Sequence, residues 1–165
     1  LSTRRQRQMC IRDRLDMPSR TGAQATLPKN IEDALSIKPK DVYKARDYLL
    51  EYESQSDIEA LQIDLDLFNQ INISPGGVIV TAPGDRHDFV SRYFTPQASI
   101  LEDPVTGSAH CTLVPYWVKR LQKSSFHAYQ CSQRGGELWC EDNGDRVVVS
   151  GYAFTYFAGW FAPDV

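Results

Sequence analysis

The chain has 165 residues, of which 42% are hydrophobic, and its net charge is −3 at pH 7. This length and composition predict one globular domain with a substantial core. No apolar run approaches the roughly 20 residues of a membrane-spanning helix, and no apolar segment follows the basic start as it would in a secretory signal, so no membrane partner is expected.

Positive charge is concentrated at the start of the chain. Residues 1–14 carry five arginines against Asp13, a net charge of +4, which leaves −7 for the rest of a chain whose total is −3. A basic arm can bind nucleic acid, but the acidic body offers no basic face and the arm has no aromatic residue. We therefore expect no nucleic-acid partner, a disordered or non-native tail over residues 1–14, and a domain over residues 15–165.

The first half of the domain is predicted to mix short helices with strands. Pro28 suits the first turn of a helix that Pro39 ends. Ser56 followed by Glu59 is a capping-box pattern for the next helix. The predicted elements are helices over 28–37, from 54 onward and over 64–71, and strands over 41–46, 47–52, 78–80 and 87–94.

The second half is organised around one long helix, from Gly107 to Leu121. Its apolar residues are spread around the whole circumference, which predicts a buried helix, and Pro115 is expected to kink it. Hairpin signals follow, of which Asn143-Gly144 is the strongest. With strands expected over 125–130, 137–141, 146–150 and 153–161, the pattern predicts an α+β fold in which a curved, mostly antiparallel sheet wraps this helix.

The turn before the long helix gathers polar groups. Asp103 and Pro104 end a strand, and Thr106 to Ser108 form a turn small enough for the backbone to approach a ligand. Free N–H groups and the positive end of the helix dipole make such a position a binding site for anions. Asp and Pro before a helix are also ordinary capping residues, so composition alone leaves both interpretations open.

The full string Glu102-Asp-Pro-Val-Thr-Gly-Ser-Ala-His110, continued by Leu113-x-Pro-Tyr-Trp117, resembles the signature of the phenazine-biosynthesis isomerase (PhzF-like) family. This family belongs to the diaminopimelate-epimerase-like group. Further similar segments cover residues 77–84, 88–94, 133–138 and 147–151, and the resemblance extends from Leu15 to the end. It implies a strand over residues 15–20. It also implies a fold of two similar halves, each a barrel-like sheet around a central helix, with the active site between them.

The resemblance also implies a chemistry. Family members are cofactor-independent isomerases and epimerases that move a proton with one acid/base residue from each half. By motif, Asp103, Ser108 and His110 are the catalytic candidates, while Thr106, Gly107 and Ser108 are the residues that bind a substrate carboxylate. Related amino-acid epimerases use cysteines where this chain has Asp103, which favours the isomerase branch. Whether Asp103 transfers the proton or only orients the substrate is left open.

The family's catalytic Glu lies in the upstream half, and no motif in residues 1–110 matches it. We therefore expect this chain to be a C-terminal half that is inactive alone and has the N-terminal half as its partner. The alternative is a non-catalytic module that binds a small carboxylate or a partner protein. A homodimer is left open, and the substrate is not indicated.

No cofactor and no metal site are predicted. His87 and His127 are interpreted as surface or strand residues, and Asp85, His87 and Asp88 lack a further fixed partner for a metal. The four cysteines include no Cys-x-x-Cys pair, which argues against a disulfide framework and favours a cytoplasmic location. Cys111 is interpreted as a small buried hydrophobic residue.

Overall fold

The computed structural model describes residues 11–71, 73, 76–96 and 98–153. Its helices are α1 (Lys29–Asp33), α2 (Gln55–Ala60), α3 (Leu65–Phe68) and α4 (Gly107–Leu121). Its strands are β1 (Ile11–Pro18), β2 (Ala23–Gln24), β3 (Asp41–Lys44), β4 (Tyr48–Glu51), β5 (Val78–Pro83), β6 (Phe89–Phe94), β7 (Ser125–Gln130), β8 (Gly136–Asp142) and β9 (Arg146–Ala153).

The nine described strands form one sheet in the order β1-β9-β8-β7-β6-β5-β4-β3-β2. Only the β4–β5 and β6–β7 pairs are parallel, so the prediction of a mostly antiparallel α+β fold is confirmed. The described sheet is open, with β1 and β2 at its two ends. The barrel-like closure and the central position of the helix stay predictions.

The sheet separates two hydrophobic clusters because side chains alternate between its faces. On β5, Val78, Val80 and Ala82 pack with residues of α1, α2 and α3 on one face. Ile79 packs on the other face with α4 and with residues of β4 and β6–β9. Among the described helices, α4 therefore packs on one face of the sheet, and α1, α2 and α3 pack on the other.

Helix α4 is buried, as its all-round apolar pattern predicts. Trp117 is only 2% exposed. It donates a hydrogen bond from Nε1 to Thr81 Oγ1 over 3.0 Å and stacks on Phe89 with ring centroids 5.5 Å apart. The helix ends where Gln122 adopts a left-handed conformation with φ 52°. Both ends of α4 agree with the predicted bounds.

The first strand begins earlier than predicted. β1 pairs antiparallel with β9 from Ile11 to Pro18, so residues 11–14 belong to the sheet and not to a tail. The Arg-rich composition suggested disorder, but pairing places Arg14 beside Glu141, with Nη2 and Oε2 2.8 Å apart. The remaining residues of the predicted tail, 1–10, lie outside the described residues.

Three predicted helix details were wrong. α1 ends at Asp33, not at 37, because Leu35 bridges to Ile63. The capping box of α2 is formed by Ser54 and Asp57, two residues before the predicted pair of Ser56 and Glu59. α3 is a single turn that Asp64 caps. The strand predicted over residues 153–161 falls, from 154 onward, outside the described residues.

Candidate active site

The signature turn is attached to the edge of β6. Asp103 N donates to Tyr93 O over 3.0 Å, and Glu102 forms a bridge with Phe94. Glu102 also accepts two hydrogen bonds from Arg92, at 2.7 and 3.0 Å. The first acid of the signature, Glu102, therefore anchors the turn to β6.

A buried glutamine holds the turn in shape. Gln130, on β7, is fully buried; its Oε1 accepts from Thr106 N over 2.8 Å and its Nε2 donates to Asp103 O over 2.6 Å. Thr106 Oγ1 donates to Asp103 Oδ2 over 2.6 Å. The partly exposed Asp103 carboxylate is thus fixed from behind by the buried Thr106. The Thr106 hydroxyl, predicted to bind substrate, is already engaged by Asp103.

The first turn of α4 carries uncapped amides. Thr106 is the N-cap residue with φ −111° and ψ 100°, and its side chain makes no capping hydrogen bond. The first turn contains no acidic residue. Gly107 and Ser108 are partly exposed, so their N–H groups keep the anion-binding capacity of a helix N-terminus.

Arg46 contacts the first turn of α4, and no sequence pattern pointed to it as a candidate site residue. Arg46 lies between β3 and β4, and its Nη2 donates to Ser108 Oγ over 3.2 Å. The guanidinium is held by Asp47, with Nε 3.1 Å from Oδ2. Burial opposes the Arg46 charge, but the hydrogen bonds and charge of Asp47 outweigh it, so the pKa of Arg46 is raised above its ordinary value.

Asp47 is the fully buried centre of that network. Its Oδ1 accepts from Tyr93 Oη over 3.0 Å and from Gly77 N over 2.9 Å. These bonds satisfy a carboxylate that would otherwise be costly to bury. Asp47 therefore holds the Arg46 guanidinium in a position where its positive charge lies beside Ser108.

His110, a catalytic candidate by motif, does not reach the protein surface. It is fully buried, and its Nδ1 lies 2.8 Å from Thr106 O. Its Nε2 has no hydrogen-bond partner among the described residues. Burial lowers the pKa of His110 to about 4, so the ring is neutral at pH 7, with Nδ1–H donating to the carbonyl. The first helical turn directs this side chain towards Phe89 in the core.

A groove of about 540 Å³ adjoins the start of α4. Residues of the signature turn, β1, β8 and β9 line it, among them Val105, Gly107, Leu15, Arg134 and Ser150. Gly136 permits the close packing here, because a Cβ at this position would lie 2.4 Å from Val105 Cγ2. Gly107 is the predicted site residue that faces this groove.

The other chemically reactive residues are placed as follows. Asp88 accepts from His127 N over 2.7 Å, and neither Asp85 nor Asp88 joins His87 in a metal-binding group within the described part of the chain. Cys111 is buried, as predicted, and burial raises the pKa of its thiol.

None of the described helices has the length and apolar character to cross a membrane.

The chain is similar to a family of known proteins over most of its length. Residues 9–159 match the family model of phenazine biosynthesis-like proteins, PhzC-PhzF. A Pseudomonas aeruginosa protein named as an uncharacterized isomerase is 44% identical over 146 residues, which cover 88% of this chain and 55% of the relative. The human phenazine biosynthesis-like domain-containing protein is 38% identical over 134 residues, covering 76% of this chain and 43% of that protein.

Solved structures agree. The crystal structure of a PhzF-family phenazine biosynthesis protein from Enterococcus faecalis superposes with a TM-score of 0.79 at 40% identity, over 84% of this chain and 53% of that one. A PhzC/PhzF protein from Clostridium difficile gives a TM-score of 0.80 at 34% identity, over 90% and 57% of the two chains. The chain spans about half the length of the curated relatives it matches.

Proposed function

The chain belongs to the phenazine biosynthesis-like (PhzC-PhzF) family, and from that premise we propose that it is the C-terminal half of a cofactor-independent isomerase. The substrate is a small molecule with a carboxylate, on which the enzyme moves a proton between carbon atoms. Relatives named as uncharacterized isomerases support this class of reaction. In this proposal the sheet is one barrel-like half around α4, and the N-terminal half is the partner that closes the cleft.

The observation that carries the proposal is the contact of Arg46 with Ser108 at the start of α4, next to the turn in which Thr106 holds Asp103. The uncapped amides of Gly107 and Ser108 offer two donors to a carboxylate, and the guanidinium of Arg46 lies beside the Ser108 hydroxyl. Helix N-terminus, hydroxyl and guanidinium together favour an anion over a neutral ligand. The substrate carboxylate would bind here and hold the reacting carbon near Asp103.

Asp103 is the acid/base residue in this scheme. Thr106 donates to its Oδ2, so Oδ1 is the oxygen that exchanges a proton with the substrate. One C–H bond breaks as a base takes the proton, the electron pair shifts within the substrate, and a C–H bond forms at another carbon. The reaction needs no oxidant or reductant. A second acid/base residue comes from the N-terminal half, so the chain alone is inactive.

His110 supports this arrangement from inside the helix. Its Nδ1–H donates a hydrogen bond to the carbonyl oxygen of Thr106. The hydroxyl of the same threonine donates to Asp103. With a pKa of about 4 and no exposed surface, His110 positions the turn and does not itself contact substrate. The predicted direct catalytic role is therefore replaced by a positioning role.

The carboxylate site can be tested by removing one amide. Gly107 is the first helical residue, where proline is tolerated, and the preceding Thr106 already has the extended backbone that proline requires. Gly107→Pro deletes the N–H, while Gly107→Ala keeps it and places a Cβ 3.6 Å from Met17 Cε, an ordinary contact.

We expect benzoate to shift the Ser108 and Ala109 amide resonances of ¹⁵N-labelled protein. Gly107→Ala should bind like the parent, and Gly107→Pro should bind about tenfold more weakly, as for the loss of a hydrogen bond to a charged group. Equal affinity of the proline and alanine variants would exclude this site. Binding without any proton exchange in the complete protein would favour the non-catalytic module instead.

A further inference from the structure

Two histidines and a glutamate meet on the face of the sheet opposite α4, here called the outer face. His127 Nε2 lies 3.7 Å from Glu137 Oε2, and His87 Nε2 lies 3.7 Å from Glu137 Oε1. One ligand atom from each residue falls within 4.8 Å of the other two. The three residues come from the segment before β6, from β7 and from β8, so only the strand register brings them together.

The cluster does not include the residues of the first turn of α4, although Glu137 also lines the groove beside that turn. On β7 and β8, the buried residues Phe126, Ala128, Leu138 and Cys140 pack with α4. His127 and Glu137 alternate with these residues and therefore project from the opposite face.

The separations suit a metal better than direct hydrogen bonds. A distance of 3.7 Å is too long for a hydrogen bond between nitrogen and oxygen. Ligands about 2.0–2.2 Å from a tetrahedral Zn²⁺ lie about 3.4 Å from one another. Both His–Glu separations, each to a different oxygen of Glu137, are close to that value, and the side chain of Glu137 is half-exposed. Two imidazoles and one carboxylate form a known donor set for zinc and related metals.

An orphaned nitrogen supplies an independent observation. His127 Nε2 is buried from solvent and has no hydrogen-bond partner among the described residues, although a buried polar atom is normally satisfied. The ring is held in place by aromatic neighbours, because the imidazole stacks on Trp139 with centroids 4.8 Å apart and lies edge-on to the His87 ring with centroids 4.7 Å apart. The nitrogen therefore points into the cluster with an unused lone pair or N–H.

His87 is oriented in a similar way. Its ring stacks on Tyr129 with centroids 5.1 Å apart and an interplanar angle of 17°, and its side chain is 12% exposed. Two imidazoles fixed by aromatic neighbours lose little freedom when they bind a common ion.

We propose that His87, His127 and Glu137 bind a divalent transition-metal ion, with Zn²⁺ as the best fit and water as the fourth ligand. The ion joins the segment before β6 to β7 and β8, and its role is to stabilise this face of the sheet. It takes no part in the proposed isomerase reaction, whose residues Asp103, Ser108 and Arg46 do not belong to the cluster.

The test is titration of metal-free protein with Zn²⁺, followed by calorimetry, and with Co²⁺, followed by visible absorption. His127→Gln, His87→Gln and Glu137→Gln are the test variants. Glu141→Gln is the matched control, because Glu141 lies on the same strand and outer face and contacts Arg14 instead. Circular dichroism checks that each variant is folded.

We expect one Zn²⁺ per chain in the parent and in Glu141→Gln, with a rise in Tm on binding. Each ligand variant should lose at least about tenfold in affinity, as is typical when even an outer partner of a metal ligand is removed. The Co²⁺ spectrum should lack thiolate bands. Absence of binding by the parent, or binding that the folded Glu137→Gln and His127→Gln variants retain unchanged, would overturn the proposal.

Discussion

Arg46 donates a hydrogen bond from Nη2 to Ser108 Oγ over 3.2 Å, which joins the β3–β4 connection to the first turn of α4. The buried Asp47 holds the guanidinium in this position. The proposed carboxylate site therefore depends on two segments that are far apart in the sequence. One supplies backbone amides and a hydroxyl, and the other supplies the positive charge.

Removal of Arg46 should weaken both the site and the fold. Among the described residues, Arg46→Ala leaves the buried Asp47 carboxylate with donors from Tyr93 and Gly77 only. We expect a loss of about 1–3 kcal/mol in the free energy of unfolding, the cost of depriving a buried polar group of a partner. Benzoate affinity should also fall about tenfold. Urea denaturation and the amide titration measure the two effects.

Two controls separate charge from geometry. Arg46→Lys keeps the charge but not the two-pronged contact with Asp47, so it should retain part of the affinity. Arg146→Ala removes an arginine whose ion pair with Asp16 is exposed, and its effect on stability should stay within about 1 kcal/mol. Benzoate affinity in Arg46→Ala equal to that of the parent would mean that the guanidinium is not part of the site.

The hydrogen bond between Thr106 and Asp103 should matter for catalysis in the complete protein. Thr106→Val removes the hydroxyl that fixes Asp103 Oδ2, and we expect the exchange rate to fall about tenfold to hundredfold, as for a lost hydrogen bond to a charged group. Thr106→Ser keeps the hydroxyl and should restore most of the rate. The measurement is deuterium incorporation by NMR. A valine variant as active as the serine variant would contradict a positioning role for Thr106.

His110 should make stability depend on pH. Burial lowers its pKa to about 4 from the ordinary 6.5, so between these values the unfolded chain binds the proton more readily. The stabilisation from a neutral His110 is complete above pH 6.5 and is lost as the pH falls to about 4. A pKa lowered from 6.5 to about 4 corresponds to a loss of about 3 kcal/mol in the free energy of unfolding once His110 is protonated.

A non-titrating variant isolates this contribution. His110→Asn can still donate a hydrogen bond to Thr106 O but carries no proton that titrates in this range. We expect the free energy of unfolding, measured in urea at pH 7.5 and pH 4.5, to change less in the variant than in the parent. The carboxylates contribute equally to both proteins. Parallel pH profiles would show that His110 titrates normally.

Local patterns predicted much of the fold. The bounds of α4 follow from apolar residues around a full circumference that end at Lys119 and Arg120, and the β8–β9 hairpin follows from Asn143-Gly144. Each of these sequence signals lies within a few residues of the helix end or turn that it predicts. The short helices α1 and α3 were predicted too long, because tertiary contacts such as the Leu35–Ile63 bridge end them.

The sequence predicted only those residues of the proposed site that are close together in the chain. The signature string identified Asp103, Gly107 and Ser108, but Arg46 lies 62 positions from Ser108, and no local pattern joins them. His110 was misplaced because the helix pattern indicates burial of α4 as a whole and not which side of its first turn faces the core. The His127–Glu137 pair depends on the register of β7 and β8, which the sequence does not specify.

The central claim is that this chain supplies half of a proton-transfer site through Asp103. The most direct test compares the chain alone, the chain joined to the family's N-terminal half, and the joined protein with Asp103→Asn. Each is incubated in deuterated water with a panel of small carboxylic acids, and NMR follows exchange of carbon-bound protons. We predict exchange by the joined protein only, with a loss of about 10²–10⁴-fold in the folded Asp103→Asn variant. Exchange by the chain alone at the rate of the joined protein, or full activity of the asparagine variant, would contradict the claim.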